Sequence, residues 1–135
     1  MAMRKFILII DDEYIILESL RIQLERFLPE DIEVQMAFSG EEAYELLQDS
    51  AQSHDVDLLI VISDYNLGDA QGTDVLLKVK ELFPAARRIL LSGQAGSDAE
   101  IEKYIQATKL DLFLTKPWDL QELKLRISEY IGFQL

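Results

Sequence analysis

Apolar residues in this chain come in two alternating patterns. Unbroken or nearly unbroken runs occur at Phe6-Ile7-Leu8-Ile9-Ile10, Val56-Asp57-Leu58-Leu59-Ile60-Val61-Ile62-Ser63, Ile89-Leu90-Leu91 and Leu112-Phe113-Leu114. Such runs read as strands buried on both faces of a parallel sheet. Between them, apolar residues recur at helical spacing: Leu17, Leu20, Leu24 and Phe27 up to Pro29; Val75, Leu76, Val79 and Phe83 up to Pro84; Ile101, Tyr104 and Ile105; and Leu120, Leu123, Ile127 and Ile131. Ile32, Val34, Met36 and Phe38 instead alternate with Glu33 and Gln35, which suits a strand at a sheet edge with one exposed face. Ser39 and Glu42 form a capping-box pair that opens the remaining helix. The stretch Asp49-Ser50-Ala51-Gln52-Ser53-His54 reads as a polar loop. Strand and helix thus alternate five times, the signature of repeated βα units around a parallel sheet in an α/β fold. The 135 residues are expected to form one domain, with no repeat or linker.

Composition narrows the function classes. The net charge of −12, from 25 acidic against 13 basic residues, lacks the basic footprint that direct nucleic-acid binding requires. It favours cationic partners such as a divalent metal or a basic protein surface. With no cysteine there is no disulfide, zinc–thiolate site or thiol nucleophile. The apolar run after Met1-Ala2-Met3-Arg4-Lys5 is too short for a signal peptide, and nothing approaches transmembrane length. The expected location is the cytoplasm, away from the membrane.

Candidate chemistry gathers where the apolar runs stop. The first ends at Asp11 and Asp12, the second at Asp64, the third at Ser92, and the fourth is followed by Thr115-Lys116-Pro117. Ligands of open α/β sheets sit outside the carboxyl ends of the strands, so three carboxylates, a hydroxyl and an ammonium are expected to face one crevice. Asp11, Asp12 and Glu13 in succession are costly without a shared cation, and a hard ion such as Mg²⁺ resolves that cost, with Asp64 completing the cage. Proline after Lys116 disfavours helix there and holds the lysine at the strand end, where an ammonium clamps an incoming phosphoryl group. Read separately, each of these residues also has an ordinary structural explanation as a helix-start acid, a cap or a turn.

In that order and spacing the residues resemble the receiver domain of two-component response regulators. The resemblance rests on Asp11-Asp12, Asp64, Ser92 and Lys116-Pro117, with Leu67 and Gly72 in the loop after Asp64, and covers residues from about Arg4 to Phe133. It implies a flavodoxin-like, doubly wound (βα)5 sandwich with strand order 2-1-3-4-5. It implies that Asp64 is the phosphoacceptor, taking a phosphoryl group from a sensor histidine kinase or a phosphotransfer protein. Asp12, Asp64 and the backbone carbonyl of Asn66 would ligate Mg²⁺, and Asp11 would act largely through a metal-bound water. Lys116 would pair with Asp64 and then with the phosphoryl group. Ser92 and Phe113 would be the switch pair, although Phe113 lacks the hydroxyl of a tyrosine and, on its own pattern, reads as core. The face made by Tyr104, the fifth strand and the last helix is the family's usual partner or dimer surface, so a homodimer is among the expected assemblies.

Departures from the family pattern carry expectations too. Gly68 stands where the family often has proline, so a looser loop is expected around the Asn66 carbonyl. Asn66 and Gln94 are not acidic, so an attacking water gains no strong extra base, and the acyl phosphate is expected to last minutes or longer. His54 is expected to be a solvent-exposed loop residue and Trp118 to pack at the start of the last helix. Two other functions use the same residues: a receiver-like scaffold without phosphorylation, and an aspartyl-nucleophile phosphohydrolase. The hydrolase lacks the second acid it needs at position 66 and any cap insertion. The chain is thus expected to be a non-enzymatic signalling domain, either free-standing or cut from a longer protein.

Overall fold

The computed structural model describes residues 3–93 and 98–133. Its strands are β1 (Arg4–Ile10), β2 (Ile32–Ala37), β3 (Val56–Asp64), β4 (Arg87–Ser92) and β5 (Leu112–Thr115), all parallel in the order β2-β1-β3-β4-β5. The helices are α1 (Tyr14–Phe27), α2 (Gly40–Ala51), α3 (Gly72–Leu82), α4 (Asp98–Thr108) and α5 (Leu120–Ile131). This is the doubly wound, flavodoxin-like sandwich expected from the sequence, with β2 at one edge.

Each sheet face buries its own apolar layer, because successive strand residues point to opposite faces. On one face Phe6, Leu8 and Ile10 meet Ala43 and Leu47 of α2 and Val75, Leu76 and Val79 of α3. On the other, Ile7, Ile9, Ile60 and Ile62 meet Leu17, Leu20 and Leu24 of α1 and Leu123 and Ile127 of α5. Burying each such Leu or Ile contributes about 1.5–3 kcal/mol relative to leaving it exposed, so the two layers hold the strand ends in fixed register.

A bulge in β3 decides which face its last residues take. Phe6 pairs with Leu58 but Ile7 pairs with Ile60, so Leu59 is the extra residue. Leu59 and Ile60 therefore lie on one side, whereas Leu58 before the bulge and Val61 after it lie on the other. A one-residue shift of this kind inverts every later side chain, so Ser63 and Asp64 owe their facing to Leu59.

Two sequence expectations need correction. Asp49, Ser50 and Ala51 belong to α2 rather than to a loop. Their polarity marks an exposed helix end, anchored by buried Leu47 and closed by Gln52 donating to the carbonyls of Gln48 and Asp49, both at 3.3 Å. Phe38 lies outside β2; it is exposed and stacks on Tyr14 with ring centroids 5.9 Å apart. The capping pair at α2 is present, with Ser39 Oγ accepting from the Glu42 N–H, although the Glu42 carboxylate reaches the N–H of Phe38 rather than that of Ser39.

At Gly72, the start of α3, helix and sheet approach closely. A Cβ there would lie 1.8 Å from the Asp64 carbonyl oxygen and 2.8 Å from Ser63 Oγ. Backbone cannot yield as a flexible side chain can, so Gly72→Ala is expected to destabilise the protein by about 2–4 kcal/mol, read as a lower urea midpoint. A midpoint equal to wild type would show that α3 can shift without cost.

Candidate functional site

The strand ends deliver the predicted residues to one side of the sheet, where Asp12, Glu13, Asp64, Tyr65, Asn66, Ser92, Gly93 and Lys116 line a pocket of about 240 Å³. Asp11 lies beneath it, only 2% exposed, seated by its backbone N–H donating to the Ala37 carbonyl at the end of β2. Lys116 is brought in by its own N–H, which donates to the Ser92 carbonyl at 2.8 Å, and is followed by a cis bond to Pro117. The Lys116 ammonium donates to Asp11 Oδ2 at 2.5 Å and lies 3.2 Å from Asp64 Oδ1. The resemblance implied Asp64 as its partner; the shorter bond goes to Asp11.

That sharing explains the electrostatics. Burial, then the nearby Asp11 charge, pushes the Asp64 carboxyl up to about 6 from 3.8, against the lowering pull of Lys116. Burial alone would lower the Lys116 ammonium, but its hydrogen bond to Asp11 and the charges of both carboxylates hold it above the ordinary lysine range. Asp64 moves up chiefly through burial and Lys116 through its two carboxylate partners, since one cation serves two anions. The lysine gains two opposite charges, whereas Asp64 has only a share of one and a like charge beside it.

The oxygen donors suit a hard divalent ion. Carboxylate oxygens of Asp11, Asp12 and Glu13 lie within 4.8 Å of one another, and Lys116 links this group to Asp64. Both Asp11 oxygens are engaged, Oδ1 by the Glu13 N–H at 2.9 Å and Oδ2 by Lys116. Asp11 is thus poorly placed to bind an ion directly, whereas exposed Asp12 and the second oxygen of Asp64 are better suited. The loop after β3 adds a backbone donor. The bonds from Leu67 N–H to the Ala70 carbonyl and from Gly72 N–H to the Tyr65 carbonyl bracket Asn66 without using its own carbonyl. Magnesium accepts one or two carboxylates, keeps several waters and requires oxygen ligands, so this set fits it.

The loop is not left slack by the missing proline. Gly68 holds φ at +82°, a value closed to proline, and its N–H donates to Asn66 Oδ1 at 3.0 Å. Glycine here gives the loop a different path, passing close to Asp12: a Cβ on Gly68 would lie 3.5 Å from Asp12 Oδ2.

Among the sequence-predicted residues, Asp12, Asp64, Asn66, Ser92 and Lys116 meet at the pocket, with Asp11 directly below. Ser92 is buried, at 4% exposure. Phe113 stands apart from the lining and packs, half-buried, on the layer that holds Phe6 and Leu90, as its core-like pattern suggests. Trp118 is partly buried and donates from its indole to Gln23 Oε1 at 2.8 Å, and His54 is exposed. Gln94 lies outside the described residues. Tyr65 and Gly93 line the pocket although no motif marks them; the one signal is that each follows a strand-end site residue.

The Asp64 shift has a pH consequence. Its folded value lies above the unfolded one, so its contribution to stability is fully present below pH 3.8 and is lost as the pH rises through about 6. In metal-free protein near neutral pH, Asp64→Asn is therefore expected to be more stable than wild type by about 1–2 kcal/mol. The gain should vanish toward acid, and added Mg²⁺ should narrow it at neutral pH by stabilising the wild type. Urea unfolding across the pH range checks this; a difference independent of pH contradicts the burial argument.

Comparison with known proteins finds relatives along nearly the whole chain. Residues 7–128 match the family model described as the response regulator receiver domain. The hydrogenase transcriptional regulatory protein HoxA of Bradyrhizobium diazoefficiens is 28% identical over 97% of this chain, which spans 25% of HoxA. The transcriptional regulatory protein CrdR of Helicobacter pylori is also 28% identical, over 96% of this chain and 56% of its own length. This chain therefore spans between a quarter and about half of the curated relatives it matches. The crystal structure of the signal receiver domain of an HD domain-containing protein from Pseudomonas fluorescens Pf-5 superposes with a TM-score of 0.80 at 29% identity, covering 98% of this chain and 90% of that one. Among the described residues no helix is long and apolar enough to cross a membrane. The chain belongs to the response regulator receiver domain family.

Proposed function

We propose that this chain is a phosphoryl-accepting switch in which Asp64 is the nucleophile, with a sensor histidine kinase or a phosphotransfer protein as donor. The observation that carries the reading is the position of Asp64. It is a nearly buried carboxylate at the end of β3, with one oxygen against Lys116 and the rest of the group at the pocket. A carboxylate oxygen of Asp64 attacks the phosphorus of a phosphohistidine, the phosphorus–nitrogen bond breaks, and the imidazole leaves with that electron pair. The product is an acyl phosphate on Asp64.

Positioning and charge neutralisation account for most of the catalysis of phosphoryl transfer. Lys116 is already desolvated beside the acceptor, so its charge acts on the developing phosphoryl oxygens without reorganisation. Mg²⁺, held by Asp12, Asp64 and the Asn66 carbonyl, would supply further positive charge to those oxygens. Asp11 holds the lysine and would act on the ion largely through a water. Ser92 donates its hydroxyl to the phosphoryl group once formed.

The new group brings nearly two negative charges and three acceptor oxygens to one strand end. Ser92 and Phe113 respond, shifting the face formed by α4, β5 and α5 between pre-existing arrangements. A partner reads that face, or a second copy of the chain pairs through it; the acidic surface argues against direct nucleic-acid contact by this domain. The reading makes residues 1–135 a single receiver domain of the cytoplasm that transmits a signal rather than turning over a substrate. In the first turn of α1, Ile15 is 77% exposed and follows Tyr14, which stacks on Phe38, giving an apolar surface suited to a donor protein.

Incubation with Mg²⁺ and a small phosphodonor, followed by intact mass measurement, tests the reading. One added phosphoryl group is expected in wild type, and none in Asp64→Asn or in the presence of a chelator. The adduct is expected to decay over minutes or longer, since Asn66 offers the attacking water no base. An adduct that survives Asp64→Asn, continuous release of phosphate, or no adduct at all would each overturn the proposal.

A further inference from the structure

The loop between β3 and α3 carries the backbone carbonyl assigned to the metal, yet part of what holds it in place lies outside the pocket. Asp69, near its tip, accepts from the Gly40 N–H through Oδ1 at 2.9 Å and from the Glu41 N–H through Oδ2 at 3.0 Å. These are charge-assisted bonds to the first turn of α2, where the helix dipole favours an anion. They hold the Asp69 carboxyl below the usual carboxylate range. The two segments also fit closely, since a Cβ on Gly40 would lie 2.6 Å from the Cβ of Ala70.

Asp69 is not simply the cap of α2. Ser39 fills that role from the position just before the helix, accepting the Glu42 N–H at 3.1 Å. Asp69 takes two other N–H groups from a segment distant in sequence, so its bonds fix a loop as well as a helix end. Its neighbour Gly68 is the residue that passes Asp12 and bonds the Asn66 side chain. The same corner is joined to the buried acid from below, because β2, which leads into α2, accepts the Asp11 N–H at Ala37.

We propose that Asp69 is a positioning residue for the metal site, strapping the β3–α3 loop to the first turn of α2 and so holding Asn66 and Gly68 in place beside Asp12. The strap does the work that a proline at position 68 would otherwise do. The inference rests on the magnesium reading above and adds a residue whose carboxylate bonds α2 rather than the ion.

Amide NMR titration of the full chain with Mg²⁺, paired with thermal melts, tests it. Asp69→Ala is expected to weaken Mg²⁺ binding about tenfold, the lower end of the loss when support behind a metal ligand is removed. Asp69→Asn, which keeps one acceptor oxygen, should fall between Asp69→Ala and wild type. Ser39→Ala removes a bond at the same helix end and should lower the melting temperature while leaving Mg²⁺ affinity unchanged. Wild-type affinity in Asp69→Ala, or equal weakening in Ser39→Ala, overturns the strap while leaving the metal site standing. If wild type shows no Mg²⁺-dependent shifts at Asp12 and Asn66, the metal reading itself falls and the role of Asp69 with it.

Discussion

A single ammonium placed between two carboxylates organises this end of the molecule. Lys116 reaches from β5 across the sheet edge to Asp11 on one side and Asp64 on the other. Two buried acids this close repel each other, and each charge is costly to hold away from water. Lys116 offsets part of this repulsion, yet burial, with the Asp11 charge beside it, still leaves Asp64 with a raised pKa. Asp11, Asp12 and Asp64 outnumber the Lys116 charge by two, a deficit that a divalent ion would correct. On the proposed reading it is equally a place where a transferred phosphoryl group would find a cation waiting.

The rest of the fold serves that geometry. The order β2-β1-β3-β4-β5 sets β1 beside β3, so Asp11 and Asp64 stand on adjacent strand ends. Lys116 comes from the far edge but is returned to the pocket by its backbone bond to Ser92. The bulge at Leu59 sets the facing of the end of β3, and Gly72 lets α3 close over the Asp64 carbonyl. Neither Leu59 nor Gly72 has side-chain chemistry for the site, yet each helps fix where Asp64 sits.

The architecture was legible from the sequence because buried parallel strands are nearly uniform in composition and the helices between them are strongly periodic. The site was legible for the same reason, since polar residues ending apolar runs stand out. What the sequence concealed depends on three-dimensional competition. That Lys116 bonds Asp11 more closely than Asp64 follows from strand positions, not from spacing. The helical end of α2 at Asp49–Ala51 looked like a loop because exposure and irregularity share a polar signature. The loop at Gly68 looked slack because a missing proline is visible in the sequence, whereas bonds from Asp69 to residues 28 and 29 positions away are not.

The central claim is that Asp64, rather than any neighbouring acid, forms the covalent bond to phosphorus. Reduction with borohydride converts an aspartyl phosphate to homoserine, which peptide sequencing by mass spectrometry can place on the chain. After treatment with a small phosphodonor and Mg²⁺, the account predicts homoserine at position 64 and nowhere else. Homoserine at position 11 or 12, or its absence from every peptide, would contradict it.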